Sequence, residues 1–176
     1  GKTAIDAVLF LLKNDVKPRR ISWIMPRDSW ILDRAQIQPT LESIGMALAN
    51  QIIPGSQSED IDDFFDKISK AGGLLRIDDN VKPTMYRCST VTKAELDQLK
   101  RVENIIRKGR VKSISDTEIV LEHGSIATNI ETLHVDCAGD GLAKRPPVPI
   151  FNDRKITLQS VRTCLLYTSP SPRDLH

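Results

Sequence analysis

Apolar positions along the chain change period from helical to strand-like and back, and that rhythm sets out the elements. Ile5, Val8, Leu9, Leu12 and Val16 fall on one face of a helix, with Asp6 in the first turn, where the macrodipole favours an acid. Pro18 is expected to end that helix. Ile21-Ser22-Trp23-Ile24-Met25 then reads as a short buried strand stopped by Pro26. Helical spacing returns over residues 35–52 and 59–71, separated by Pro54-Gly55-Ser56, and Leu74 to Ile77 suggests another strand. A helix over 92–102 begins with Thr92 and Glu95 at capping-box spacing.

Beyond residue 104 the segments shorten. Ile105-Ile106, Val111 to Ile114 and Ile119-Val120-Leu121 are strand candidates, punctuated by Ser115-Asp116 and His123-Gly124, and together predict a small antiparallel meander. Thr132-Leu133-His134-Val135-Asp136-Cys137 is expected to be an apolar strand with a glycine-rich exit, Ala138-Gly139-Asp140-Gly141. In that strand His134 reads as a packed residue rather than an acid or base, and Cys137 as a small buried hydrophobe. No internal repeat is present.

The sequence has 176 residues, 40% apolar and 27% charged, which are globular values. A net charge of +2 gives no general attraction to nucleic acid or membrane, and no apolar run approaches the ~20 residues that span a bilayer. Cys88, Cys137 and Cys164 form no CxxC pair, which disfavours a disulfide framework or zinc site and fits a reducing, cytoplasmic compartment. Asp60, Asp62, Asp63 and Asp66 resemble a metal cluster only until Ile61, Phe64, Phe65 and Ile68 are set beside them. The acids are then the wet side of an amphipathic helix, and no metal is expected.

The candidate chemistry is at the first residues. Gly1-Lys2-Thr3-Ala4 puts a glycine, a base and a hydroxyl at the mouth of a helix, where unpaired N–H groups and the dipole suit a phosphate. The chain reads as starting inside a nucleotide-binding turn, with the leading strand cut off. Two motifs end this way: the dinucleotide fingerprint G-x-G-x-x-G/A, with Gly1 as second glycine and Ala4 as third small position, and the P-loop G-x-x-x-x-G-K-S/T. The P-loop alternative would use Asp136 at a strand end to hold Mg²⁺, and Asp136-Cys137-Ala138-Gly139 matches D-x-x-G, but no N-K-x-D motif occurs. The dinucleotide reading uses Arg27, just past the strand, where an arginine accommodates the 2′-phosphate of NADP and an acid binds the 2′-hydroxyl of NAD. Asp28 lies beside it, and Arg34 is a second candidate partner. Spacing alone fits equally well a loop arginine paired with Asp28. A third reading is a non-enzymatic α/β binding domain in which Gly-Lys-Thr is incidental.

Gly1-Lys2-Thr3-Ala4-Ile5-Asp6-Ala7, followed by Ile21-Ser22-Trp23-Ile24-Met25-Pro26-Arg27-Asp28-Ser29-Trp30, resembles FAD/NAD(P)-binding oxidoreductases related to the flavin-containing monooxygenases. The likeness extends over residues 1–164, through His134 to Leu142, Pro147 to Phe151 and Ile156 to Gln159. It implies an α/β fold: a partial Rossmann-like NAD(P)-binding domain of a flavoprotein with two dinucleotide-binding domains, carrying a helical insert and a small β-meander. Residues 1–142 would form that domain without its first strand, and 143–164 would begin the return to the FAD domain. Residues 165–176 resemble a translated sequencing-adapter peptide and are set aside as an artefactual tail.

The resemblance further implies that the parent protein passes hydride from NADPH, in preference to NADH, to FAD, for a small-molecule substrate left open. Among the cofactor-binding candidates, Gly1 would give backbone approach and Lys2 and Thr3 the pyrophosphate edge, with Ala4 the third small position; Arg27 would select the 2′-phosphate, with Asp28 beside it and Arg34 a second candidate partner, and Ala138 and Gly139 would line the crossover near the dinucleotide. No catalytic residue can be assigned, and the chain as given is expected to be inactive.

Overall fold

The structure, a computed structural model, describes residues 1–138, 149–152 and 154–157. The chain divides into two compact units, Gly1–Cys137 and Ala138–His176. Both helices and strands build the first unit, which is mixed α/β.

Helix α1 (Lys2–Lys13) has Gly1 as its N-cap and buries Ile5 and Val8. Ala4, Leu9, Leu11, Leu12 and Val16 pack around the same core, so the apolar stripe read from the sequence is the buried face. Pro18 does not end this helix. The chain turns at Asp15, whose φ is 61°, with the Asp15 N–H on the Leu12 carbonyl (3.2 Å) and the Val16 N–H on that of Leu11 (3.1 Å). That is a Schellman stop, made here by an aspartate in the left-handed region. Pro18 instead opens a 3-10 turn, Pro18–Arg20.

Strand β1 (Ser22–Ile24) is flanked by buried Ile21 and Met25, with Trp23 buried between them. It runs parallel to β5 (Asn104–Ile106), register Ser22↔Asn104 to Ile24↔Ile106. A second sheet has the order β3 (Leu74–Leu75), β2 (Ser29–Asp33), β4 (Met85–Val91), with β3 antiparallel and β4 parallel to β2. Neither β2 nor β4 is among the strands expected from the sequence. Side chains along β2 alternate between two cores, as a pleated strand covered on both faces must. Ile31 joins the core under α1 and α4 (Lys93–Leu99), with Trp23, Val91, Leu96 and Leu99, while Trp30 and Leu32 join a second core with Ile68, Leu74, Phe64, Phe65 and Tyr86. Trp30 stacks on Phe65 at 5.9 Å and 6°, and the Arg76 guanidinium lies 5.7 Å from its ring centre.

Helix α2 spans Leu41–Ser56 rather than 35–52, starting after N-cap Thr40, and carries Pro54 inside its last turn instead of ending before it. Its outward face is apolar: Leu41, Ile44, Leu48 and Ile52 are exposed, whereas Ser43, Ala47 and Asn50 are half-buried and Pro54 is buried. Helix α3 (Ile61–Lys70) has Asp60 as N-cap, and its acids are taken up by lysines: Asp63 by Lys67 at 2.7 Å, Asp66 by Lys82 at 3.2 Å. Helix α4 opens with the full capping box of Thr92 and Glu95.

The antiparallel meander is β6 (Val111–Ile114), β7 (Glu118–Leu121) and β8 (Gly124–Ala127), in which Ile119 and Leu121 are buried. Ile105-Ile106 is not part of it, because it is recruited as the parallel partner of β1. Residues 132–137 form no strand, and Leu133 and Val135 are 83% and 59% exposed. In the second unit β9 (Phe151–Asn152) pairs antiparallel with β10 (Lys155–Ile156). The expected return segment is otherwise largely, and the expected tail entirely, outside the described residues.

Candidate functional site

Helix α1 and the strand after it share one core and are joined by residues 14–21. The two candidate places are the N-terminus of α1 and the exit of β1. Gly1 to Ala4 and Pro26 to Asp28 occupy these two positions.

At the helix mouth no side chain caps the first turn. A Cβ placed on Gly1 would meet nothing within 4 Å. Lys2 is hydrogen-bonded to Asp6 one turn on, Thr3 is exposed, and Ala4 is half-buried against the core. The Lys2–Asp6 pair is itself exposed, which leaves the ammonium exchangeable with another anion at little cost.

At the strand exit two adjacent charges part company. Asp28 is 7% exposed and does not pair with Arg27. Its Oδ2 accepts from Arg107 Nε at 2.7 Å and its Oδ1 from Arg107 Nη2 at 3.0 Å, a two-pronged bond of the kind a planar guanidinium makes. Arg107 Nη2 also reaches Asp78 Oδ2 at 3.2 Å. These hydrogen bonds, Asp28 first, raise the Arg107 guanidinium above its already high range. Arg107 directly follows β5, so the bond ties together the exits of the two parallel strands. Arg27 is exposed, and among the described residues no ion pair engages it.

The other expected site residues are elsewhere. Arg34 follows β2 at its far end from Arg27, and its guanidinium donates to Glu95 Oε1 (3.2 Å) and the Thr90 carbonyl (3.1 Å). It fastens β2 and β4 to the start of α4 and does not converge on Arg27. Asp28 is likewise committed to Arg107 and presents no carboxylate to a ribose. Ala138 is exposed in the second unit, and Gly139 lies outside the described residues. Asp136 is exposed and stands at the end of no strand, which removes the Mg²⁺-holding geometry that the P-loop alternative requires. His134 is exposed rather than packed, with Nε2 3.0 Å from Thr128 Oγ1, and Cys137 is half-buried. A shallow hollow of about 260 Å³ lies between Ser115-Asp116 and the 129–134 segment, and none of the expected site residues lines it. Among the described residues no group of His, Cys, Asp or Glu could hold a metal, and no helix is long and apolar enough to cross a membrane.

Arg107 was not foreseen. The available signal was chemical: an aspartate between a prolyl strand end and a buried tryptophan needs a cation. With 25 lysines and arginines in the chain, sequence alone offers no means of choosing it.

No protein-family model matches the sequence, and no solved structure matches it. The chain is similar to uncharacterized proteins of Mycobacterium tuberculosis and Mycobacterium bovis, each 45% identical over 178 residues. These alignments cover 93% of this chain and 31% of the relatives, so the chain spans about a third of their length.

Proposed function

We propose that Gly1–Cys137 is the NADPH-binding part of a flavoprotein oxidoreductase that passes hydride from NADPH to FAD. The observation that carries this reading is the separation of Arg27 from Asp28. The aspartate is turned inward to Arg107, while the arginine is left exposed at the exit of a parallel strand. The second element of the reading is the glycine-led mouth of α1, where no side chain caps the first turn. In a Rossmann-like half, these two places receive the 2′-phosphate and the pyrophosphate. Gly1 gives backbone approach, Lys2 and Thr3 add a cation and a hydroxyl at the pyrophosphate, and Ala4 keeps the first turn close to the sheet. FAD supplies the redox chemistry and this chain supplies orientation and charge.

A guanidinium bond to a phosphate contributes about 1.5–3 kcal/mol, which is roughly 10- to 150-fold in affinity. Titrating the folded chain with NADP⁺ and with NAD⁺ should show a preference for NADP⁺ of that order, abolished in Arg27→Ala. Equal binding of the two, or none by a chain of native circular dichroism, overturns the reading. For the flavin half, the longest gene product carrying this sequence should hold a flavin bleached by NADPH before NADH; a colourless product would refute it.

A further inference from the structure

We infer that Arg107 is a specificity-determining positioning residue, which selects NADP over NAD by withdrawing Asp28 from the ribose. The inference rests on the dinucleotide reading above and adds to it a residue that touches no ligand. Directly after β1 the chain carries both charges that discriminate the two nucleotides, Arg27 and Asp28. An acid at this position hydrogen-bonds a 2′-hydroxyl and repels a 2′-phosphate, and an arginine does the reverse. Preference is therefore decided by which of the two faces outward.

The structure makes that choice through β5. Pairing of Ile24 with Ile106 brings Arg107 beside the exit of β1, and its fork takes both oxygens of Asp28. Asp78 holds the outer nitrogen of the same guanidinium, so Arg107 is fixed from two sides. Held inward by the fork and only 7% exposed, Asp28 is turned away from a ribose and from Arg27 alike. Remove Arg107, and a carboxylate that is 7% exposed loses the guanidinium that pairs with it. It then has two outlets, the neighbouring Arg27 or the solvent where the ribose would lie. Both weaken NADP⁺, and the second strengthens NAD⁺.

The experiment measures the ratio of NAD⁺ to NADP⁺ dissociation constants for the wild-type chain and four variants, each checked for folding by circular dichroism. Arg107→Ala should lower the NADP⁺ preference by about tenfold or more, the worth of one charge-assisted bond. Arg107→Lys, a single donor where a fork stood, should lower it less. Arg107→Ala combined with Asp28→Asn should restore the preference, because no acid remains to be released. A purely structural role for Arg107 would weaken both nucleotides alike and would not be rescued in this way. If Arg107→Ala does not fold, Arg107→Lys and the double variant carry the comparison. An unchanged ratio in the folded variants, or no rescue, overturns the inference while the dinucleotide reading stands, provided Arg27→Ala still abolishes the preference. A wild-type chain with no preference overturns the reading itself.

Discussion

Replacing Trp30 by alanine tests the second core, the one beneath α3. The indole is 2% exposed: Phe65 stacks on it at 5.9 Å, and Arg76 lies 5.7 Å from its ring centre. Truncating a buried tryptophan costs about 3–5 kcal/mol from lost transfer energy and the cavity left behind. The stacked pair adds about 0.5–1.5 kcal/mol and the guanidinium about 0.5–1 kcal/mol. These terms overlap, so we expect a loss near 4 kcal/mol, at the upper end of what single substitutions do. With a urea dependence of about 2 kcal/mol per molar, the unfolding midpoint should fall by about 2 M. The chain has two tryptophans, and the one left, Trp23, sits in the other core on the opposite face of β2. Its fluorescence should therefore report a cooperative transition of a remote core, and far-UV circular dichroism should follow the same curve. Trp30→Phe, which keeps a ring against Phe65, should lose less than half as much. A midpoint shift under 0.5 M for Trp30→Ala would refute the packing argument.

Two further outcomes follow from local geometry. Glu95 accepts the Thr92 N–H at 2.7 Å and also pairs with Arg34; these interactions, the backbone bond first, hold its carboxyl below the ordinary 4.5. Glu95→Gln preserves the capping outline but not the charge, and should cost about 0.5–1 kcal/mol at pH 7. Because the folded value is the lower one, this difference should be complete above pH 4.5 and vanish as pH falls through the depressed value, read by urea unfolding of both proteins across pH 3–7. A difference that persists undiminished at pH 3 would contradict the assignment. Gly109→Ala should destabilise by more than 1 kcal/mol, because φ there is 77° and the new Cβ would fall 2.7 Å from that of Glu122; an unchanged melting temperature would count against that turn.

How much of this could be read from the sequence depends on where each element finds its partner. Helix α1, β1, α3 and the capping box of α4 are local: their periodicity, caps and first-turn residues are complete within a dozen positions. Strand β4, Met-Tyr-Arg-Cys-Ser-Thr-Val, has no apolar alternation, and becomes a strand because β2 lies beside it. Strand β2 was hidden behind Trp30, which reads as the residue after a strand when Pro26 is taken as the end of the sheet. The opposite error occurs at 132–137, where Leu133 and Val135 alternate with polar residues but no strand among the described residues receives them. Alternation states which face could be buried, not whether anything buries it. Ile105-Ile106 is a strand as expected, but outside the meander, since its partner lies 82 residues upstream. At the candidate site Gly1, Lys2, Thr3, Ala4 and Arg27 stood out in the sequence by residue type and spacing. Asp28 and Arg34 looked alike as nearby charges, and only tertiary contacts assign one to Arg107 and the other to Glu95.

The parallel pair β1–β5 also bears on how far this domain can vary. Its two strands meet across 82 positions with only three residue pairs in register. Closing a loop of that length costs roughly 4 kcal/mol in the logarithmic term alone, so three ladder pairs need the surrounding core and the Asp28–Arg107 bond to hold the closure. The same logarithm makes the domain tolerant: doubling the length between the strands adds only about 0.6 kcal/mol. The stretch that carries α2, α3 and their sheet can thus be lengthened or exchanged at small thermodynamic expense. What cannot vary is the point where the loop is fastened, because the residues that close it are those that set Arg27 facing outward.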